Sequence, residues 1–256
     1  MTELVIAVLA GAVCGFLNTL ASSGSAVTLP MLMFMGLSPV AANATNRIPV
    51  VLGALIAVIT FIRAGVIELD KAIRVLIPTC LGTLLGAYIA SHIAAGQLKL
   101  IIAIAVLIAL ILLFAGLKKA IMQDLDQVPR YRWQEFAMLL FVGIWLGFIV
   151  IDGATYLLLV LVLGLRLTFV QANAYKNLAL AVTSAMAVAL FAMDGHIDWT
   201  IGLLMGLGSI VGAYLGAKLA MHHLAKIWAF RLLVTIIILE LINMTLNYFH
   251  LAIVHT

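Results

Sequence analysis

Residues 4–37 read LVIAVLAGAVCGFLNTLASSGSAVTLPMLMFMGL. No charge interrupts them, yet the apolar run breaks at Ala21-Ser22-Ser23-Gly24-Ser25. The arm that follows, Val27–Leu37, is about eleven residues, or about 16 Å as a helix. A hydrocarbon core is about 30 Å thick, so this arm is too short to span it. The stretch therefore either enters a bilayer and returns or crosses it twice. The short arm favours a re-entrant helical hairpin with its tip at Ser22–Ser25.

Composition requires the bilayer. Apolar residues make up 66% of the chain and charged residues 9%, with a mean hydropathy of +1.26. Soluble domains carry roughly a quarter charged residues, so these charges are too few to coat a water-facing surface. Further apolar segments follow at about 44–62, 72–93 and 98–117. Residues 118–134 form the one long polar stretch, and after it come 136–151, a break at Asp152-Gly153, 154–165, 170–193, 199–220 and 227–249. The net charge of +4 comes from basic residues scattered between apolar segments, which is a topology signal. It is not the basic stripe with aromatics that nucleic acid requires. Cys14 and Cys80 lie inside apolar segments and read as small packing residues. Ser22 and Ser23 loosely imitate a signal-peptide end, but Glu3 and the lack of a basic n-region argue against cleavage.

The second half repeats the first. Gly11-x-x-x-Gly15-Phe16 recurs as Gly143-x-x-x-Gly147-Phe148, and Gly36-Leu37 as Gly164-Leu165. Ala42-Asn43-Ala44 recurs as Ala172-Asn173-Ala174, and Phe61-x-x-x-Gly65-x-Ile67-Glu68 as Phe191-x-x-x-Gly195-x-Ile197-Asp198. Gly82-x-x-x-Gly86-Ala87-Tyr88 recurs as Gly208-x-x-x-Gly212-Ala213-Tyr214. The matches keep one order at an offset of about 126 to 132 residues, which chance does not produce. Loop charge sets the orientation. The loop after Phe61 carries Arg63, Lys71 and Arg74, whereas its mate after Met193 carries no Lys or Arg. Conversely, His92–Lys99 holds one basic residue where its mate holds Lys218, Lys226 and Arg231. The positive-inside rule then puts equivalent loops on opposite sides. The predicted fold is an all-α polytopic membrane protein of two inverted repeats, 1–117 and 135–256, joined by a cytoplasmic connector at 118–134. Each repeat is a re-entrant hairpin plus three transmembrane helices, with both termini outside.

Polar groups at membrane depth mark the candidate site. At the first tip, Ser22, Ser23, Gly24 and Ser25 offer hydroxyls and free backbone, with Ser23 or Ser25 as an N-cap. A helix starting there would favour an anion through its N–H groups and dipole. The alternative is a glycine kink whose serines bond back to the helix. Asp152 and Gly153 occupy the second tip. Asn43, Asn46 and Arg47 recur as Asn173, Lys176 and Asn177, each after a hairpin. Cations supply charge and asparagines supply donors for an oxyanion, or the cations are interfacial anchors. Asp152 is either a proton carrier or the partner of Lys176 or Arg47 in an ion pair. Arg63 and Arg166 read as topology charges. Glu240, Asn243 and Asn247 form a further polar stripe that reads as structural glue. Tyr88 and Tyr214 read as packing residues, and Trp133, Trp199 and Trp228 as interfacial anchors.

The run from Gly15-Phe16-Leu17-Asn18 through Ser22–Ser25, Leu29-Pro30 and Gly36-Leu37-Ser38-Pro39 to Ala42-Asn43-Ala44-Thr45-Asn46 resembles the TauE/SafE sulfite exporter family. The likeness continues through Arg63-Ala64-Gly65-Val66-Ile67 and, in the second half, from Gly147-Phe148 to Gly212-Ala213-Tyr214. It implies a multi-pass protein of a bacterial inner membrane that moves sulfite, sulfoacetate or a related organosulfonate. Small organic carboxylates are the alternative cargo. Members of that family often carry consecutive glycines at the first tip, where this chain has three serines around Gly24. The expected partners are the lipid bilayer and a small anion, with no nucleic acid, no cofactor and no metal; a homodimer is an open assembly. No GxxxxGK[ST] motif supplies an ATP motor. An anion channel is the competing class. A hydrolase built on Ser23 with His92 or His196 is the enzyme alternative, and His222-His223 are adjacent, hence not on one helical face.

Overall fold

A computed structural model describes residues 2–92, 131–149, 153–222, 224–232, 234, 235 and 238. Among them the secondary structure is helical throughout. Helices α1 (Thr2–Ala21) and α2 (Gly24–Phe34) form the first broken pair. A short α3 (Pro39–Thr45) leads through Asn46 into α4 (Arg47–Arg63), and α5 (Leu69–His92) follows. In the second half α6 (Trp133–Phe148) precedes α7 (Gly153–Leu159), which ends in a π-helical turn, Val160–Gly164. Helices α8 (Phe169–Met193) and α9 (Trp199–Ala220) complete the set, and residues 225–232 are helical.

Five described segments are long and apolar enough to cross a membrane: Leu4–Ala21, Pro39–Arg63, Leu69–Ala90, Phe169–Met193 and Trp199–Ala220. Their outward faces are apolar, as at Leu9, Ile59, Leu85 and Leu207, which suits contact with lipid rather than water. The chain is therefore an all-α, multi-pass membrane protein. The predicted span at 98–117, most of that at 227–249, the connector up to Arg130, Asp152, and Glu240 with Asn243 and Asn247 lie outside the described residues.

Local chemistry explains the element ends. Ser38 accepts from the Ala41 N–H to start α3, and Thr168 with Gln171 forms a capping box on α8. The repeated Phe-x-x-x-Gly is a helix stop. Gly65 and Gly195 both hold φ +69°, and the following N–H groups of Val66 and His196 donate to the carbonyls of Phe61 and Phe191. That six-to-one bond through a left-handed residue closes a helix without leaving its carbonyls bare.

The helix pairs exchange between halves. Gly11 and Gly15 of α1 lie against Met205 and Ser209 of α9, and Gly208 and Gly212 lie against Val8 and Ala12. Likewise Gly82 and Gly86 of α5 meet Leu140 and Ile144 of α6, while Gly143 and Gly147 meet Thr79 and Thr83. Missing Cβ atoms let the backbones touch, which is how helices bind where water cannot drive them together. Both pairs are parallel, since residue numbers rise together along each contact. In contrast, α4 and α8 are antiparallel. Arg47 at the start of α4 lies 6.0 Å from the ring of Phe191 near the end of α8, and the Glu68 N–H beyond α4 donates to Tyr175 Oη near the start of α8.

Tyr88 and Tyr214, read as packing residues, instead point outward, 64% and 43% exposed. Each follows by two residues a glycine that faces the neighbouring helix, and two steps of 100° place it on the opposite side. Trp133, Trp199 and Trp228 are exposed near helix starts, as anchors require.

Candidate functional site

A broken helix at membrane depth exposes carbonyls that have no intrahelical partner. In hydrocarbon these must be satisfied by protein. Lys176 of α8 does this for α1, donating to the carbonyls of Asn18 at 2.7 Å and Thr19 at 3.0 Å. Arg47 of α4 does it for α6, donating from Nη1 to the Leu146 carbonyl and from Nη2 to Gly147 at 3.0 Å. Asn43 adds its amide to the Phe148 carbonyl at 3.1 Å. Each half thus closes the helix end of the other, and each cation sits at the negative pole of a helix dipole. Both are fully buried, and neither meets a carboxylate among the described residues.

The first tip is tight. Ser22 is left-handed, φ 66°, a conformation costing a non-glycine residue roughly 1–2 kcal/mol. The turn sends α2 back along α1, where Gly24 fits against Cys14 and Asn18 with no space for a side chain. Ser23 stands at the N-cap position, but its hydroxyl makes no cap bond. Asn18 Oδ1 takes that role, accepting from the Gly24 N–H at 2.9 Å. The fold-back brings Asn18 within reach, so the expected serine cap is replaced by an asparagine from the opposite arm. Ser25 is buried in the first turn of α2.

The two tips meet. Thr155, in the first turn of α7 after Gly153, donates to the Ser22 carbonyl at 3.3 Å. Lys176 also reaches Ser22 Oγ at 3.0 Å and Asn173 Oδ1 at 2.7 Å. Asn177 donates to the Asn173 carbonyl. Asn46 turns towards the first hairpin, where its Oδ1 accepts from Thr28 Oγ1 at 2.7 Å. A crevice between Gly15, Asn18, Thr19, Gly53, Asn177 and Ser209 is too narrow to admit water. The expected residues are therefore all buried in one central region, except Asp152, which lies outside the described residues.

Asn18, Thr28 and Thr155 were not singled out from sequence. Asn18 carries a legible signal, since a carboxamide four residues before the break sits one turn below it on α1. Thr28 and Thr155 carry none, because a threonine in an apolar helix ordinarily bonds to its own backbone. Among the described residues the buried Ser23 hydroxyl has no hydrogen-bond partner, so no catalytic dyad is seen there. No group of metal ligands occurs among the described residues.

Comparison with known proteins gives the family. The family model "Sulfite exporter TauE/SafE" matches residues 7–244. A "Probable membrane transporter protein" of Haemophilus influenzae is 30% identical over 82% of this chain and 82% of its own length. "Probable membrane transporter protein ORF9" of Sinorhizobium is 28% identical, covering 84% and 82%. "Probable membrane transporter protein YfcA" of Escherichia coli K12 is 28% identical, covering 83% and 79%. No solved structure matches. With a match across most of its length, several spanning helices and relatives named as transporters rather than enzymes, the chain belongs to the TauE/SafE sulfite exporter family and is a membrane transporter of that type.

Proposed function

We propose that this protein is a secondary transporter carrying a small sulfur-containing anion, such as sulfite, sulfoacetate or a related organosulfonate, across a bacterial inner membrane. The observation that carries the reading is the pair of buried cations, Arg47 and Lys176, with no counter-ion among the described residues. Burying an ion costs several kcal/mol unless it is compensated. A helix C-terminus offers about half a negative charge, so each full positive charge is only partly balanced. A central region with surplus positive charge and serine and asparagine donors accommodates an oxyanion. The family's name supplies sulfite as the first candidate.

The two halves act as inverted repeats in this proposal. Support comes from loop charge and from helix direction: α4 and its counterpart α8 are antiparallel, α1 runs parallel to α9 and α6 runs parallel to α5. The hairpins then enter from opposite faces, and alternating access moves one hairpin unit against the remaining helices. Asp152, at the second tip in sequence, is the candidate proton carrier.

Uptake into proteoliposomes tests the whole reading. Radiolabelled sulfite and sulfoacetate should accumulate under an imposed pH gradient, and Asp152→Asn should abolish the gradient dependence. Unchanged pH-driven flux in that variant removes the proton role. Absence of flux for every sulfur oxyanion, with flux of acetate or another carboxylate, transfers the cargo to carboxylates. Currents far above carrier turnover would instead select a channel.

A further inference from the structure

The two polar clusters are unequal in a way that their repeat does not suggest. Lys176 has three N–H protons and four acceptors in reach: the carbonyls of Asn18 and Thr19, Ser22 Oγ and Asn173 Oδ1. Nothing remains on it for a ligand. Arg47 differs. Its two terminal nitrogens hold the end of α6, but its Nε–H is buried and has no partner among the described residues. Next to it, Asn46 spends its Oδ1 on Thr28, and its buried Nδ2 has no partner among them either. Thr28 sits one turn into α2, and its one hydroxyl proton lies between two acceptors, Asn46 Oδ1 at 2.7 Å and the Gly24 carbonyl at 3.2 Å. At the start of that turn is Ser23, 2% exposed, whose hydroxyl is likewise unpartnered.

Within the two repeated Asn-and-cation clusters and the first tip, the unpartnered groups differ in chemistry. In the first half they are the guanidinium N–H of Arg47, the amide of Asn46 and the hydroxyl of Ser23, all able to donate. The position matching Arg47 in the second half, Asn177, leaves a carbonyl oxygen unpartnered, which is an acceptor and repels an oxyanion. The hydroxyls of Tyr131 and Ser184 are unpartnered as well, but neither belongs to these clusters. Buried donors without partners lose their hydration and gain nothing in return, so they call for an acceptor that arrives later.

We propose that the oxyanion is received by the first-half cluster, Ser23, Asn46 and Arg47, while Lys176 is a positioning residue that clasps the end of α1. This inference rests on the anion-transport reading above and assigns unequal roles within that site. A head with three oxygens, as in sulfite or a sulfonate, carries as many acceptors as there are unpartnered donors in this cluster. Phe191, 6.0 Å from the guanidinium carbon, flanks the Arg47 end.

The test is anion binding to the purified full-length protein, read by thermal shift and by calorimetry with sulfite and with sulfoacetate. Ser23→Ala carries it, because that hydroxyl makes no hydrogen bond among the described residues and its removal should leave the unliganded melting temperature unchanged. The variant should weaken sulfite binding about tenfold or more, the loss expected for a hydrogen bond to a charged group. Asn46→Asp keeps an acceptor for Thr28, removes both amide donors and should weaken binding at least as much. Lys176→Gln should do the reverse, lowering the unliganded melting temperature while losing less of the sulfite-induced shift than Ser23→Ala. Sulfite binding within twofold of wild type in both Ser23→Ala and Asn46→Asp overturns the assignment. Wild-type protein that binds no sulfur oxyanion at millimolar concentration overturns the transport reading itself, a separate outcome.

Discussion

The amine of Lys176 lies 2.7 Å from the carbonyl oxygen of Asn18, across 158 positions of sequence. It ties the second half of the chain to the broken end of a helix in the first. Arg47 makes the reciprocal tie to Leu146 and Gly147. The breaks that weaken α1 and α6 as spans are thus the places where the halves grip each other.

Replacing Lys176 by methionine keeps much of the apolar stem and removes all the donors. The carbonyls of Asn18 and Thr19 would then be buried without a partner, at roughly 1–3 kcal/mol for each such group. We expect a clear fall in the melting temperature in detergent, corresponding to about 3 kcal/mol, that sulfite does not reverse. A melting temperature equal to wild type would show that the clasp contributes nothing to the resting fold.

Neighbouring glycines on α9 should differ sharply. A methyl group at Gly208 would collide with the backbone carbonyl of Val8, which cannot move without separating α1 from α9. At Gly206 the nearest obstacle is the tip of the Leu52 side chain, which can rotate away. Gly206→Ala should purify as a monodisperse, folded protein, whereas Gly208→Ala should lose most of its folded yield on size-exclusion chromatography. Equal yields would contradict the packing of α1 on α9.

The contact between the tips is open to cross-linking. With Cys14 and Cys80 replaced by alanine, a Ser22→Cys, Thr155→Cys pair should be joined by a short bifunctional thiol reagent within one chain. Joining them should block transport if hairpin movement is needed. Efficient cross-linking with full transport would confine alternating access to other elements.

Loop orientation can be read directly. Ala64 and Asp194 are exposed at equivalent ends of α4 and α8. In the background lacking native cysteines, Ala64→Cys should react with an impermeant maleimide only from the cytoplasmic side, and Asp194→Cys only from the other. Labelling of both from one side would reject the inverted arrangement.

Much of the architecture is legible in the sequence. The span of α8, expected at about 170–193, is Phe169–Met193, and 199–220 matches α9. The breaks at Ser22 and Gly153 fall where α1 and α2, and α6 and α7, divide. The candidate site was legible as a set of residues but not as a set of bonds. Arg47 and Lys176 were read as cations aimed at an anion; their hydrogen bonds go first to helix ends. The serine expected to cap α2 leaves that task to Asn18.

The division follows from the range of the forces. Sequence by itself determined the membrane class, the described spans and the two breaks, because hydropathy and turn chemistry are properties of adjacent residues. Tertiary structure alone decided which helices pair and which carbonyl each buried cation satisfies. In hydrocarbon every exposed backbone group must find a protein partner. Which partner it finds depends on how closely glycine faces let distant helices approach, and no local pattern encodes that distance.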